Sequence, residues 1–246
     1  MIERYINNRV NAIWNDQNRF DTWKLIQEKY VETLEQLKIA EAGIAKKIRE
    51  AEVSKEEVYK QEEVTNHDLA SFVDILQKKV GEGSNWIHYG LTSSDIVDSA
   101  NSLLILQSIE IAQELILDLL KELKLKAIKN KDTKIIGRTH GVYAEETFLG
   151  NIFGNWYLEI KRSLDRVERA KVSIAYGKLS GPVGNHTVVT EEMEKITLEK
   201  LGLKPEIFAS QIVSRDRYAE VFTSFSILAS TYERISTNLR SYQRSE

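Results

Sequence analysis

Apolar residues recur at helical spacing along most of the chain. Leu69, Phe72, Val73, Leu76 and Val80 share one face, which predicts a helix capped by Asn66. Ser54 followed by Glu57 is a capping-box signature for a shorter helix just before it. After the "TSSD" of residues 92–95 the pattern runs unbroken to about Lys129. A second long helix is expected from about Ala144 to Ala175, with Leu149, Phe153, Trp156, Ile160, Leu164 and Val167 in one stripe. Thr190 opens a further helix with an acidic first turn, and Gly202 and Pro205 end it. The last begins near Asp216 and carries Val221, Phe225, Leu228, Tyr232, Ile235, Leu239 and Tyr242. Strand patterning is confined to short stretches near Ile135–Ile136 and Val188–Val189.

Helices of roughly 30 residues each span about 45 Å at 1.5 Å per residue. The one beginning after "TSSD" bears Leu103, Leu104, Leu106, Ile109, Ile111, Leu115, Ile116, Leu119 and Leu120 around much of its circumference. A helix apolar nearly all round is covered on most sides. The expected fold class is therefore all-α, a bundle of long helices that associates with copies of itself. The periodic stripe is still running at "LRSYQRSE", with no glycine or proline stop, so the chain reads as cut within a helix.

Composition narrows the chemistry. The 246 residues carry a net charge of −3 and no basic stripe, which argues against nucleic-acid binding. With no cysteine, disulfides, thiolate metal sites and cysteine nucleophiles are excluded. The N-terminal "MIERYINNRVNAIW" is charged where a signal peptide is apolar. The most apolar segment, Leu103 to Ile128, is broken by Glu110, Glu114, Asp118 and several lysines, so no membrane span is expected. A cytoplasmic protein fits these features.

Most glycines fall in three zones, near 81–90, 137–154 and 177–184, and three of the four histidines lie in or beside them. Three clusters result: "TNHD" with Asn66, His67 and Asp68; "HYGLTSSD" with His88, Thr92 and Ser93; and "GRTHG" with Arg138, Thr139 and His140. Each is expected at a helix start. Either each histidine caps or packs locally, or the three N-termini together receive a multiply charged anion. No histidine pair has metal-ligand spacing, and no metal or cofactor is expected.

"HYGLTSSDIVDSA" and "GRTHGVYAEETFLGNIFGNW" closely resemble two of the three signature regions of the fumarase/aspartase superfamily, and within it the adenylosuccinate lyase family. "MIERY", "NRFDTW", "TNHD", "GKLSGPVG" and "SQIVSRDRYAE" extend the resemblance over nearly the whole chain. It departs at "AEETFLG", where the family usually has a proline after the first glutamate, a difference of backbone shape. His186 is read as local.

The resemblance implies a truncated long-helix bundle of that superfamily, with an N-terminal helical domain over 1–92 and a central long-helix domain over 93–246. It also implies β-elimination of fumarate from adenylosuccinate, giving AMP, and from the succinyl-carboxamide ribotide of purine synthesis. His140 is then the general acid. Arg4, Tyr5, Asn66, His67, Asp68, Thr92, Ser93 and Gln211 contact the nucleotide substrate, with His88 near its phosphate. Arg4, Arg138, Lys178 and Arg215 are candidate positive charges, the last two ranked lowest as ordinary surface charges. The family further implies a homotetramer with active sites shared between subunits. Its third signature, a mobile loop reading like "GSSxMPxKxNP" that supplies the basic serine, does not occur in the chain. Competing readings are another lyase of the superfamily and a helical assembly protein that has lost catalysis.

Overall fold

The computed structural model describes residues 3–245. After a 3-10 turn at Glu3–Tyr5 come α1 (Asn8–Ile13), α2 (Asp16–Gln36), α3 (Ile44–Glu50), α4 (Lys55–Thr65), α5 (Asp68–Val80) and α6 (Ser93–Lys129). Strands β1 (Lys134–Thr139) and β2 (Val142–Phe148) precede α7 (Leu149–Ile174). The two-residue strands β3 (Tyr176–Gly177) and β4 (Lys204–Pro205) flank α8 (Glu191–Lys200), and α9 (Asp216–Ser241) closes the series.

Local chemistry sets most of these boundaries. The Asn15 side chain accepts the Asn18 N–H at 2.9 Å and starts α2. Ser54 and Glu57 form the expected capping box on α4. Thr190 accepts the Met193 N–H at 3.2 Å at the start of α8. The start of α5 differs from expectation: His67, not Asn66, caps it, while Asn66 turns left-handed (φ 52°) and ends α4.

Two compact units form. The first comprises Met1–Ser108 and Ile174–Arg215. Its core is aromatic at one end, where Phe20 and Trp23 meet edge-on at 5.3 Å and Phe72 stacks on Phe20 at 6.1 Å. Ile26, Tyr30, Leu34, Ile48, Leu69, Leu76, Ile96, Ala100, Leu179 and Leu198 continue it. The helix α2 supplies much of this core yet also buries Thr22, Gln27, Glu28 and Thr33.

The second unit comprises Ile109–Ser173 and Asp216–Glu246. Trp156, Ile160, Leu164 and Val167 on α7 and Val221, Leu228 and Ile235 on α9 are buried, as their periodicity predicts. Arg234 on α9 pairs with Glu159 on α7 and donates to Asn155 Oδ1 at 3.2 Å. Along the second half of α6 only one stripe is buried, including Ile109, Ile116, Leu120 and Leu123, while Leu115, Leu117, Leu125 and Ile128 are exposed.

The helix expected from Ala144 begins instead at Leu149. Residues 142–148 form β2, antiparallel to β1, with Thr139 paired to Val142 and Lys134 to Phe148. Val188 and Val189 are not a strand; Val189 is a buried loop residue. Among the described residues, no helix is long and apolar enough to cross a membrane.

Candidate functional site

In the first unit the structure joins two of the three clusters. His67 Nε2 lies 3.3 Å from Ser93 Oγ, so the start of α5 meets the start of α6. His67 Nδ1 accepts the Ala70 N–H at 3.4 Å, as a cap must. In that neutral state the ring proton sits on Nε2 and is donated to Ser93. Asp68 Oδ1 is 3.5 Å from His67 Nδ1 and accepts the Leu69 N–H at 2.7 Å. Both side chains are close to half exposed, and Asn66 is exposed beside them.

The start of α6 is held from below. Asp95 is fully buried; its Oδ2 accepts the N–H groups of Thr92 at 2.8 Å and Gly181 at 3.2 Å. Its Oδ1 pairs with Lys178, which is equally buried and donates to the Gly181 carbonyl at 2.9 Å. Ser99 Oγ exchanges hydrogen bonds with the backbone of Lys178, at 3.2 Å each way. Burial pushes the Asp95 carboxyl up, opposed by Lys178 and the two backbone donors. Lys178 is therefore not the surface charge its residue type suggested but an internal tie between "GKLSG" and "TSSD".

His88 follows the same logic. Gln27, completely buried on α2, accepts the His88 N–H at 2.9 Å and approaches its Nδ1 at 3.0 Å. One turn along, Tyr30 donates to the Tyr89 carbonyl at 2.8 Å. Burial, followed by the nearby His67 ring, lowers the His88 pKa to about 4. At neutral pH His88 is uncharged. Gln27 and Tyr30 were not anticipated from the sequence; their spacing of three on a helix with buried neighbours is the signal that could have found them.

Gln211 is exposed on the loop before α9, in the first unit. Asp98 of α6 anchors that loop, accepting the Val213 N–H at 2.9 Å and pairing with Arg215 at 3.0 Å. Arg215 thus has a carboxylate partner already. Arg4 donates to the Tyr5 hydroxyl at 3.0 Å, and both are exposed. His186 is local as expected, bonded through Nε2 to buried Glu194 at 2.9 Å. A cavity of about 400 Å³ is lined by Glu41, Ile44, Lys47, Glu82 and neighbours, and it contains none of the predicted site residues. Among the described residues, no cluster of three or more metal-ligating side chains occurs.

The third cluster lies in the second unit, and not at a helix start. His140 (φ 53°) and Gly141 (φ 79°) are the two residues between paired Thr139 and Val142. Two positive φ values in a two-residue hairpin loop are the pattern of a type I′ turn, so His140 stands where asparagine or glycine is usual. Its ring is carried at an exposed hairpin tip. Beside it, Arg138 lies over the Tyr143 ring at 4.4 Å and donates to the Gly141 carbonyl at 3.3 Å.

Comparison with known proteins agrees with this picture. A family model described as Lyase matches residues 8–246. Adenylosuccinate lyases of Thermotoga maritima and Aquifex aeolicus are each 39% identical to the chain over its whole length, which spans 57% of theirs. Among solved structures, a fumarate lyase from a Mesorhizobium species superposes with TM-score 0.89 at 18% identity, over 97% of this chain and 58% of that one. The β-carboxy-cis,cis-muconate cycloisomerase of Acinetobacter calcoaceticus gives TM-score 0.90 at 19% identity, over 97% and 58%. The wording of the signatures, the long-helix fold and the family match lead to one conclusion: the chain belongs to the Lyase family, within the fumarase/aspartase superfamily.

Proposed function

We propose that the chain is the N-terminal part of an adenylosuccinate lyase acting in purine biosynthesis in the cytoplasm. The observation that carries this reading is 39% identity over the whole chain to enzymes of that name, against 18–19% for superfamily members with other names. The 1–92 and 93–246 domain division is proposed from the family resemblance.

The reaction removes a proton from carbon next to a carboxylate and expels the purine amine. Charge spreads into the carboxylate in the intermediate, which calls for prearranged donors that strengthen as it develops. In the proposed site Thr92, Ser93, Asn66, His67 and Asp68 line the substrate, and His67 and Ser93 are already in hydrogen-bond contact. Arg4, Tyr5 and Gln211 add nucleotide contacts, and His88 serves the phosphate. His140 protonates the leaving amine, the role of a general acid. The carbon base is the serine of the third signature, which this sequence does not contain. Sites are assembled from several subunits of a homotetramer.

The test is fumarate release from adenylosuccinate, measured for residues 1–246 and for a polypeptide completed to the relatives' length. The completed chain is expected to turn over and residues 1–246 are not. Activity of the shorter chain within about tenfold of the longer one, a barrier difference of about 1.4 kcal/mol, sinks the assignment of the base. No activity of the completed chain on adenylosuccinate, with activity on another fumaryl or succinyl compound, favours a different lyase of the superfamily.

A further inference from the structure

We propose that Gln27 is a positioning residue that locks His88 as the neutral tautomer protonated on Nε2, so that His88 meets an anion as a hydrogen-bond donor and not as a cation. The argument is closed by donor and acceptor counting. A backbone N–H can only donate, so the His88 N–H fixes the Gln27 oxygen on its side, at 2.9 Å. The amide nitrogen then faces His88 Nδ1, at 3.0 Å. An amide NH₂ can only donate, so Nδ1 must accept, and the ring proton resides on Nε2. Protonating Nδ1 would set two donors against each other inside the core.

The lock is built into the fold. Gln27 is completely buried on α2, and its neighbour at one helical turn, Tyr30, holds the next carbonyl at 2.8 Å. His88 itself sits at φ 63°, a backbone conformation costly for histidine that these contacts maintain. Among the described residues Nε2 makes no hydrogen bond, so its donor is available. The low pKa of His88 agrees, with His67 the neighbouring titratable group. The anion-facing role of His88 rests on the proposed function; the tautomer lock does not.

Long-range proton–nitrogen correlation spectra of the ¹⁵N-labelled chain read which ring nitrogen is protonated, with His88 assigned by its absence from His88→Asn. At pH 7 His88 is expected neutral and protonated on Nε2. Gln27→Glu keeps an acceptor for the His88 N–H but places a second acceptor against Nδ1, so Nδ1 is expected to gain a proton. A wild-type ring protonated on Nδ1, or a Gln27→Glu spectrum with His88 unchanged, overturns the lock. A role in packing alone lowers the melting temperature of Gln27→Glu and leaves the tautomer where it was, which also overturns it. Titration with AMP separates the two readings. In the polypeptide completed to the relatives' length, a shift of the His88 Nε2–H signal supports the donor role; no shift, with the tautomer intact and fumarate release retained, overturns that role alone, whereas absence of fumarate release overturns the proposed function instead.

Discussion

Lys178 and Asp95, 83 positions apart, form an ion pair with no solvent exposure of either side chain. Such a pair is costly to desolvate, and its removal by halves costs most. Lys178→Met should lower stability by about 3–5 kcal/mol, because it strands a buried carboxylate. The double change Lys178→Met with Asp95→Leu should restore a large part of that. Urea denaturation of the two single variants and the double variant gives the coupling directly. Additive losses would show that the two side chains do not depend on each other.

His88 predicts a pH dependence. Its pKa is about 4 when folded and 6.5 in the reference state. Between those values the unfolded chain binds a proton that the folded chain refuses. The stabilisation is therefore complete above pH 6.5 and is lost as pH falls through the folded value near 4, amounting to roughly 3 kcal/mol. His88→Asn, which tolerates a positive φ, should flatten this slope relative to wild type. Equal slopes for the two proteins between pH 6.5 and 4 would remove His88 as the cause.

Gly184 has φ 73°, and a Cβ there would lie 2.1 Å from the Ala209 carbonyl oxygen. Backbone cannot swing aside as a side chain can. Gly184→Ala should cost roughly 2–4 kcal/mol, combining left-handed strain with overpacking. At Gly202 (φ 72°) nothing lies within 4 Å of the added carbon, and alanine should cost only about 1 kcal/mol. Thermal melts that rank the two variants in the opposite order would refute the contact.

In a polypeptide completed to the relatives' length, His140→Ala should lower kcat by about 10²–10⁴-fold with little change in KM. Proton donation matters chiefly in the transition state. A rise in KM with kcat preserved would make His140 a binding group.

Leu117 and Leu125 are each 54% exposed and Ile128 58% exposed on α6, an apolar surface that calls for a cover. Equilibrium sedimentation at micromolar concentration should show the chain self-associated, towards the proposed tetramer. Leu117→Glu with Leu125→Glu should shift it to monomer. A wild-type monomer would contradict the role given to this face.

Helices whose caps are local were legible. Ser54 with Glu57, Thr190 with its acidic turn, and the stripes on α7 and α9 all signal through residues a few positions apart. The helix α2 was not singled out, because Thr22, Gln27, Glu28 and Thr33 interrupt its apolar pattern while being buried themselves. Lys178 was misread for a related reason: its partner is distant in sequence, and lysine is rarely buried unpaired. Of the β1–β2 hairpin only the stretch near Ile135–Ile136, inside β1, was read; β2 escaped because no residue from 134 to 148 is buried, so it lacks the inside–outside alternation of a half-covered sheet. Of the site, residue types and clusters were readable; that His67 touches Ser93, that Gln27 holds His88 and that Asp95 holds the Thr92 backbone required the fold.

That hairpin bears on how the proposed acid would work. Two strands alone are marginally stable in water, and these carry His140 at their outermost point. Within its own unit the ribbon shares a pocket with Tyr242 and Arg244 beyond α9, and in the proposed homotetramer a neighbouring subunit would steady it further. If that assembly forms, dilution becomes a catalytic variable: as the proposed subunits part, the proposed acid would lose its aim before any residue is altered or any helix unfolds. Specific activity that falls with protein concentration, while helical content stays constant, is the behaviour this arrangement would produce.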